Sequence, residues 1–288
     1  MPYSRLASPS ATIAVLERHG LYTRKALGQH FLVDDNVVGR IVAAASIEPG
    51  EAVLEIGPGI GTLTDALLAA GAAVVAVEYD DRLLPVLEEL RDDPSRSLTV
   101  VRADAVTVSP AALVTPAGRP RLLVANLPYG VAATVVLRLF EEMPLLERAT
   151  VMVQSEVADR MAASPGSKAY GSYTVKLGLR ARCAGRFAVA RTCFLPPPRV
   201  DSAVIRLERI HRDEDSRVIT AAARMADAAF SQRRKTLRNA LTAGLAVPAS
   251  EVSSILEEAG IQGGRRAEDL TIDEYVRLGT VCEARQVL

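Results

Sequence analysis

The chain is predicted to fold as an α/β domain over residues 1–209, a parallel sheet with helices on both faces, followed by a small all-helical C-terminal domain over 210–288. Two observations carry this. Short apolar runs, AVLEIG (52–57), AAVVAVE (72–78), LTVVRA (98–103), RLLVAN (121–126) and TVMVQ (150–154), alternate with amphipathic helical stretches. Strands that are apolar on both sides belong to sheets covered on both faces. From about residue 210 such runs stop and only helical periodicity remains, after the charged linker HRDEDSR (211–217).

The elements follow in order. ATIAVLERH (11–19) predicts a short helix closed by Gly20. Asp34 or Asp35 caps the next, in which Val37, Val38, Ile41 and Val42 recur at helical spacing until Pro49-Gly50 stops it. Helices over 61–70, 81–90 and 131–142 then separate the strands. SAVIRLE (202–208) alternates as a strand near a sheet edge does.

The 288 residues suffice for one large and one small domain. No apolar run approaches the roughly 20 residues that cross a bilayer, and the N-terminus lacks the plan of a secretion signal. Cys183, Cys193 and Cys282 are odd in number without CxxC spacing. They are expected to be reduced, mostly buried thiols in a cytoplasmic protein without a metal site. The net charge of zero hides a segregation: residues 1–31 sum to +3, 32–159 to −10, 160–212 to +9 and the remainder to −2. The basic segments suit a polyanion, with the acidic part facing away.

VLEIGPGIGTLT (53–64) joins the first strand of the sheet to a helix. Gly57, Gly59 and Gly61 allow a tight turn and close approach of a ligand. Nicotinamide dinucleotides and S-adenosylmethionine both use such loops. The G-x-G-x-G spacing, Thr62 and an acid two residues before the first glycine, Glu55, favour S-adenosylmethionine. A carboxylate there repels a pyrophosphate but suits a cationic ligand. Glu78 ends the second strand, where a carboxylate accepts from both ribose hydroxyls. Asp104 follows the third, placed for the cofactor's adenine amino group.

VANLPYG (124–130) ends the fourth strand at the same edge. An adenine amino nitrogen is a poor nucleophile because its lone pair is delocalised into the ring. The Asn126 side-chain oxygen and a carbonyl of the Leu127-Pro128 unit can accept its two N–H bonds and favour tetrahedral geometry. Pro128 fixes φ, and Tyr129 offers a flat face to a flipped or single-stranded base. No general base is required, since the ammonium formed by attack is strongly acidic.

With these motifs together, the sequence resembles the ribosomal RNA adenine N6-dimethyltransferases from about residue 24 to the C-terminus. KALGQHFL (25–32) is similar to the family's N-terminal cofactor motif, and the glycine loop, Glu78, Asp104 and NLPY follow in the family's order. MVQSEVADRMAASPGSKAYGSYTV (152–175) and FLPPPRVDSAVIRL (194–207) resemble the small-subunit branch, and AFSQRRKTLRNAL (229–241) is also similar. The resemblance implies a Rossmann-like class I S-adenosylmethionine-dependent methyltransferase with a helical RNA-binding C-terminal domain. It implies a cofactor pocket lined by His30, Leu32, Gly57, Gly59, Glu78, Asp104 and Asn126, with His30 standing where many members have Asn. It implies a base site of Asn126, Leu127, Pro128 and Tyr129, with Phe194 as a second stacking ring.

The substrate so implied is two adjacent adenosines in the 3′-terminal hairpin loop of small-subunit (16S) rRNA, dimethylated on the immature 30S subunit. Arg180, Arg182, Arg186, Arg191 and Arg199 flank the catalytic edge in this reading, and Arg233, Arg234, Lys235 and Arg238 stud a C-terminal helix, each able to grip a phosphate. In that run 234 and 238 share a face while 233 is displaced, so part of it is expected to pair internally. Nothing in the sequence demands more than a monomer. Two rivals share these motifs: the large-subunit (23S), antibiotic-resistance branch, and an assembly factor whose RNA binding outweighs its catalysis. DNA adenine methylation is disfavoured, because those enzymes usually place Asp or Asn before Pro-Pro.

Overall fold

A computed structural model describes residues 2–22 and 29–287. Along the chain run α1 (Pro9–Arg18), β1 (Phe31–Leu32), α2 (Asp35–Ala45), β2 (Ala52–Ile56), α3 (Thr62–Ala69), β3 (Ala73–Glu78), α4 (Leu84–Arg91), β4 (Ser97–Arg102), β5 (Leu122–Asn126), α5 (Ala132–Glu142), β6 (Arg148–Gln154), α6 (Ser155–Met161), α7 (Ser172–Gly178), β7 (Ala181–Val189), β8 (Phe194–Leu195), β9 (Ser202–Arg209), α8 (Ser216–Phe230), α9 (Leu237–Leu245), α10 (Ala249–Glu258) and α11 (Ile272–Ala284). They form two compact units, Met1–Ala158 with Cys183–Arg209, and Asp159–Arg182 with Ile210–Leu288.

The first unit is built on a seven-stranded sheet in the order β4-β3-β2-β5-β6-β9-β7. The strands from β4 to β6 pair in parallel, and β9 runs antiparallel to β6. Every residue of β2 and β3 is buried, as their apolar sequences require. On one face Val38, Ile41, Leu63 and Leu67 of α2 and α3 share a cluster with Val53, Val74, Leu122 and Val124 of the sheet. Asp34 is the cap of α2: its Oδ1 accepts from Val37 N–H at 3.1 Å, fixing where the helix starts. α1 begins two residues earlier than its apolar spacing predicts, because the Ser8 hydroxyl accepts from Ala11 N–H. Its Val15 and Leu16 pack with Phe31, Ile60 and Leu83.

One feature of this topology positions the site. β3 and β4 lie to one side of β2, while β5 and β6 lie to the other. The loops after β2 and β5 therefore leave neighbouring strands at the point where strand order reverses, which is where open α/β sheets bind ligands.

β9 lies one strand in from the edge, near it as its alternation predicts. The edge itself is β7, whose ARCAGRFAV carries almost no apolar alternation and is mostly exposed. An edge strand held by backbone pairing needs little side-chain burial, so it leaves a weak signature. The stretch Asp159–Arg182, read as part of the catalytic domain, belongs to the second unit. There Tyr170, Val175 and Leu179 are buried with Met225, Ala229 and Tyr275 in the helical core.

In that second unit α8 is rich in alanine so that neighbours can approach closely. A Cβ on Gly279 of α11 would stand 2.5 Å from the Val218 carbonyl, and one on Gly244 of α9 would stand 2.7 Å from Ala228 Cα. The buried Tyr170 and Tyr275 hydroxyls donate to the Leu270 and Ala267 carbonyls at 2.8 and 2.9 Å. Arg233 donates to the Tyr170 carbonyl and to Glu268, both at 3.1 Å.

Of the cysteines only Cys282 is buried; Cys193 is half-buried and Cys183 exposed, against the expectation of mostly buried thiols. Among the described residues no His, Cys, Asp and Glu group could hold a metal ion, and no helix is long and apolar enough to cross a membrane.

Candidate active site

The turn after β2 needs a backbone that few residues adopt. Gly57, Gly59 and Gly61 have φ of 68, 62 and 83°, a region costing an ordinary L-residue roughly 1–2 kcal/mol. Space adds to the requirement at all three, a Cβ on Gly61 running into the Leu90 side chain. A Cβ on Gly57 would lie 3.2 Å from Pro128 Cδ, and one on Gly59 3.3 Å from the Phe31 ring. The glycine loop is thus packed directly against the loop that ends β5, which joins the two motifs read separately in the sequence.

Between them lies a cavity of about 530 Å³. His30, Leu32, Gly57, Gly59, Glu78, Asp104, Asn126, Leu127, Pro128 and Tyr129 all line it, as does Glu55. Residues 25–28 of the KALGQHFL motif lie outside the described residues. Sequence reading missed Gln29, Phe31, Tyr79, Asp80 and Leu83, which also contribute. Asp80 had the signal of a second acid just beyond Glu78. It accepts from Gln29 Nε2 at 2.9 Å and from Arg82, whose guanidinium holds its carboxyl below the ordinary range.

The acids give the cavity its electrostatic character. Glu55 is only 1% exposed, and its Oε2 has no hydrogen-bond partner. Burial, with the charge of Glu78 adding to it, pushes its carboxyl up to about 8. Burial also raises Glu78, although three backbone N–H groups pull the other way: those of Tyr79 and Asp80, each 2.8 Å from Oε1, and that of Gly59, 3.2 Å from Oε2. Asp104 is exposed at the rim, its Oδ1 accepting from Val106 N–H at 2.8 Å. No Lys or Arg lines the cavity among the described residues. A pyrophosphate would find carboxylates and no counter-charge, whereas a cationic nucleoside meets the acidic lining of Glu78 and Asp104. The residues present fit S-adenosylmethionine and not a dinucleotide.

At the other end the β5 loop is held from several sides. Asn126 donates from Nδ2 to the His30 carbonyl at 3.5 Å, which turns its Oδ1 the other way. The Leu127 N–H is anchored on the Met152 carbonyl at 3.0 Å, and the Pro128 carbonyl accepts from Val131 and Ala132. That leaves the Leu127 carbonyl as the free acceptor of the pair foreseen here. Tyr129 OH and the fully buried Ser202 Oγ are 2.6 Å apart, and burial raises the phenol, keeping it neutral. Tyr129 is half-buried, with ring surface left to the cavity.

Phe194, expected as a second stacking ring, is a core residue in the free chain. It is 2% exposed, pairs in register with Leu32 through β1 and β8, and packs in the core with Val189 and Val204. It is not among the cavity-lining residues. The short β1–β8 ladder turns the ring inward, a pairing across 162 residues that no local pattern reveals.

Known proteins are similar to this chain over most of its length. The model of the ribosomal RNA adenine dimethylase family matches residues 20–283. The chain is 46% identical over 283 residues to the Ribosomal RNA small subunit methyltransferase A of Rhodococcus opacus (strain B4), spanning 95% of this chain and 93% of that one. It is 45% identical over 282 residues to the protein of that name from Leifsonia xyli subsp. xyli (strain CTCB07), spanning 95% and 98%. Among solved structures it is similar to a dimethyladenosine transferase from Plasmodium falciparum, with TM-score 0.74, 25% identity and coverage of 89% and 98%. It is also similar to the 23S rRNA methyltransferase ErmE, with TM-score 0.65, 28% identity and coverage of 88% and 99%. A Rossmann-like sheet, a glycine loop packed on NLPY and a match running almost the length of the chain lead to one conclusion: this chain belongs to the ribosomal RNA adenine dimethylase family.

Proposed function

We propose that the chain transfers methyl groups from S-adenosylmethionine to N6 of adenosine in small-subunit rRNA, twice per base, at two adjacent adenosines of the 3′-terminal hairpin loop. The observation that carries this reading is the single cavity shared by the glycine loop, Glu78 and Asn126–Tyr129 at the tips of neighbouring strands. The higher identity to proteins named for the small subunit, 46% against 28% for ErmE, supports the small subunit over the large.

When bound, S-adenosylmethionine supplies an electrophilic methyl carbon. Leu32, Gly57, Gly59, Glu78 and Asp104 would hold it. Asn126 Oδ1 and the Leu127 carbonyl accept the two N–H bonds of the base, drawing the N6 lone pair out of conjugation. Pro128 keeps the Leu127 carbonyl from swinging away, and Tyr129 stacks under the ring with its hydroxyl tethered to Ser202. The methylated nitrogen loses its proton to solvent without a dedicated base.

The test is methylation of purified unmethylated small and large subunits with labelled cofactor, followed by mass spectrometry of the rRNA. Dimethyladenosine confined to the small-subunit 3′-terminal loop is expected. Label in large-subunit rRNA, or none in either, would overturn the reading.

A further inference from the structure

Residues 3–18 precede the span 20–283 matched by the family model, and none of them lines the cavity. They nevertheless bind the helices that follow three segments lining it. On α2, just after β1, the Tyr3 and Ser4 N–H groups donate to Asp35 Oδ2 and Oδ1 at 3.1 and 2.9 Å. The Tyr3 ring lies on Gly39 of the same helix, where a Cβ would stand 2.3 Å from it. On α3, which continues the glycine loop, Asp65 accepts from the Arg5 N–H at 2.8 Å and from Arg5 Nη2 at 3.0 Å. Asp65 is 2% exposed and also accepts from Arg96 at 2.7 Å. On α4, beyond Glu78, Glu89 pairs with Arg18.

Between these ties α1 sets an apolar face behind the site. Its Val15 and Leu16 share a buried cluster with Phe31, Ile60, Leu83 and Val86. Phe31 and Leu83 line the cavity, and Ile60 stands between Gly59 and Gly61. The Phe31 ring also lies against the glycine loop, 3.3 Å from where a Cβ of Gly59 would be. An ionised carboxylate as buried as Asp65 is stable only while it is paired, so it favours the docked segment. We propose that residues 3–18 brace the cofactor site, with Arg5 and Leu16 as positioning residues. The brace holds Phe31–Leu32, the glycine loop and Glu78–Leu83 in place before the ligand arrives. A site already ordered loses less entropy on binding. The proposal rests on the S-adenosylmethionine reading above.

A brace of this kind acts on the methyl donor and not on the RNA. Leu16→Ala, Leu16→Met and Arg5→Ala would be assayed by calorimetry for S-adenosylmethionine Kd, with melting curves alongside. The KM for unmethylated small subunits would be measured at saturating cofactor. Emptying the space behind Phe31 raises the cofactor Kd roughly tenfold in L16A, whereas L16M, which keeps the volume, stays within about twofold of wild type. R5A removes one exposed partner of Asp65 and raises the Kd about threefold; where L16A does not fold, R5A decides. The subunit KM stays within about twofold throughout. An unchanged cofactor Kd, with or without lower melting, would make the segment a stabiliser of the fold alone and overturn the proposal. So would an L16M no better than L16A, or a rise in subunit KM at unchanged cofactor Kd. A wild-type chain that takes up no S-adenosylmethionine would instead remove the cofactor reading on which the brace depends.

Discussion

An asparagine amide carries an acceptor and two donors on one rigid group, so tying down a donor aims the acceptor. Asn126 is tied by Nδ2 to the His30 carbonyl, and its oxygen is the group that would activate the adenine nitrogen. Asn126→Ala is expected to lower kcat by about 100-fold or more, the scale of losing one preorganised polar contact in the transition state. Single-turnover methylation of small subunits checks this, and a decline of only a few-fold would rule the role out. Glu55 makes a prediction in stability. Its ordinary value is 4.5 and burial raises it to about 8, so in that range the folded chain keeps a proton that the unfolded chain has lost. The group's contribution is complete at low pH and drains away as pH rises from about 4.5 to about 8. Glu55→Gln is neutral throughout. In the absence of cofactor, wild type should therefore lose roughly 5 °C more in Tm than the variant between about pH 5 and about pH 9. Equal losses in the two proteins would mean that Glu55 does not titrate in this way.

At the scale of elements, the loops after β2 and β5 support each other across a few ångströms. Gly57 sits at φ 68°, and a Cβ there would press on Pro128 Cδ at 3.2 Å. Gly57→Ala therefore does two things: it strains the turn by about 1–2 kcal/mol, and it pushes the base-gripping loop outward. A Tm lower by roughly 3–6 °C and impaired methylation should appear together. A variant that melts and methylates like wild type would mean the loops are not coupled. The β1–β8 ladder is the counterpart on the other side of the cavity. It pairs Phe31 and Leu32 with Leu195 and Phe194, and the Phe194 ring is buried in the core.

Across the whole molecule the question is how a chain of zero net charge grips a polyanion. In the first unit Arg191 and Arg199 are exposed, and in the second Arg234, Lys235 and Arg238 are exposed along or just before α9. Arg233 differs: its guanidinium is bound to the Tyr170 carbonyl and Glu268, the internal pairing expected for part of that run. Arg233→Ala should lower the melting temperature of the chain with little change in the salt dependence of RNA binding. The triple change Arg234→Ala, Lys235→Ala and Arg238→Ala should leave melting unchanged and flatten the plot of log affinity against log salt by about 2. Reversal of those two outcomes would assign the basic run the opposite way.

Local chemistry was readable from the chain alone. The apolar runs, the glycine turn, the acids at successive strand ends and the stiff NLPY corner each depend on a few adjacent residues, and each element appears within a few residues of its expected span. Which strand lies beside which, and hence that Gly57 touches Pro128, came from hydrogen bonding between segments far apart in sequence. The same holds for the edge strand β7, the allegiance of Asp159–Arg182 and the inward turn of Phe194. Periodicity records whether a residue is buried, because burial selects side-chain type. It does not record against what it is buried, because many apolar partners satisfy the same demand. That choice is made only when the whole chain packs.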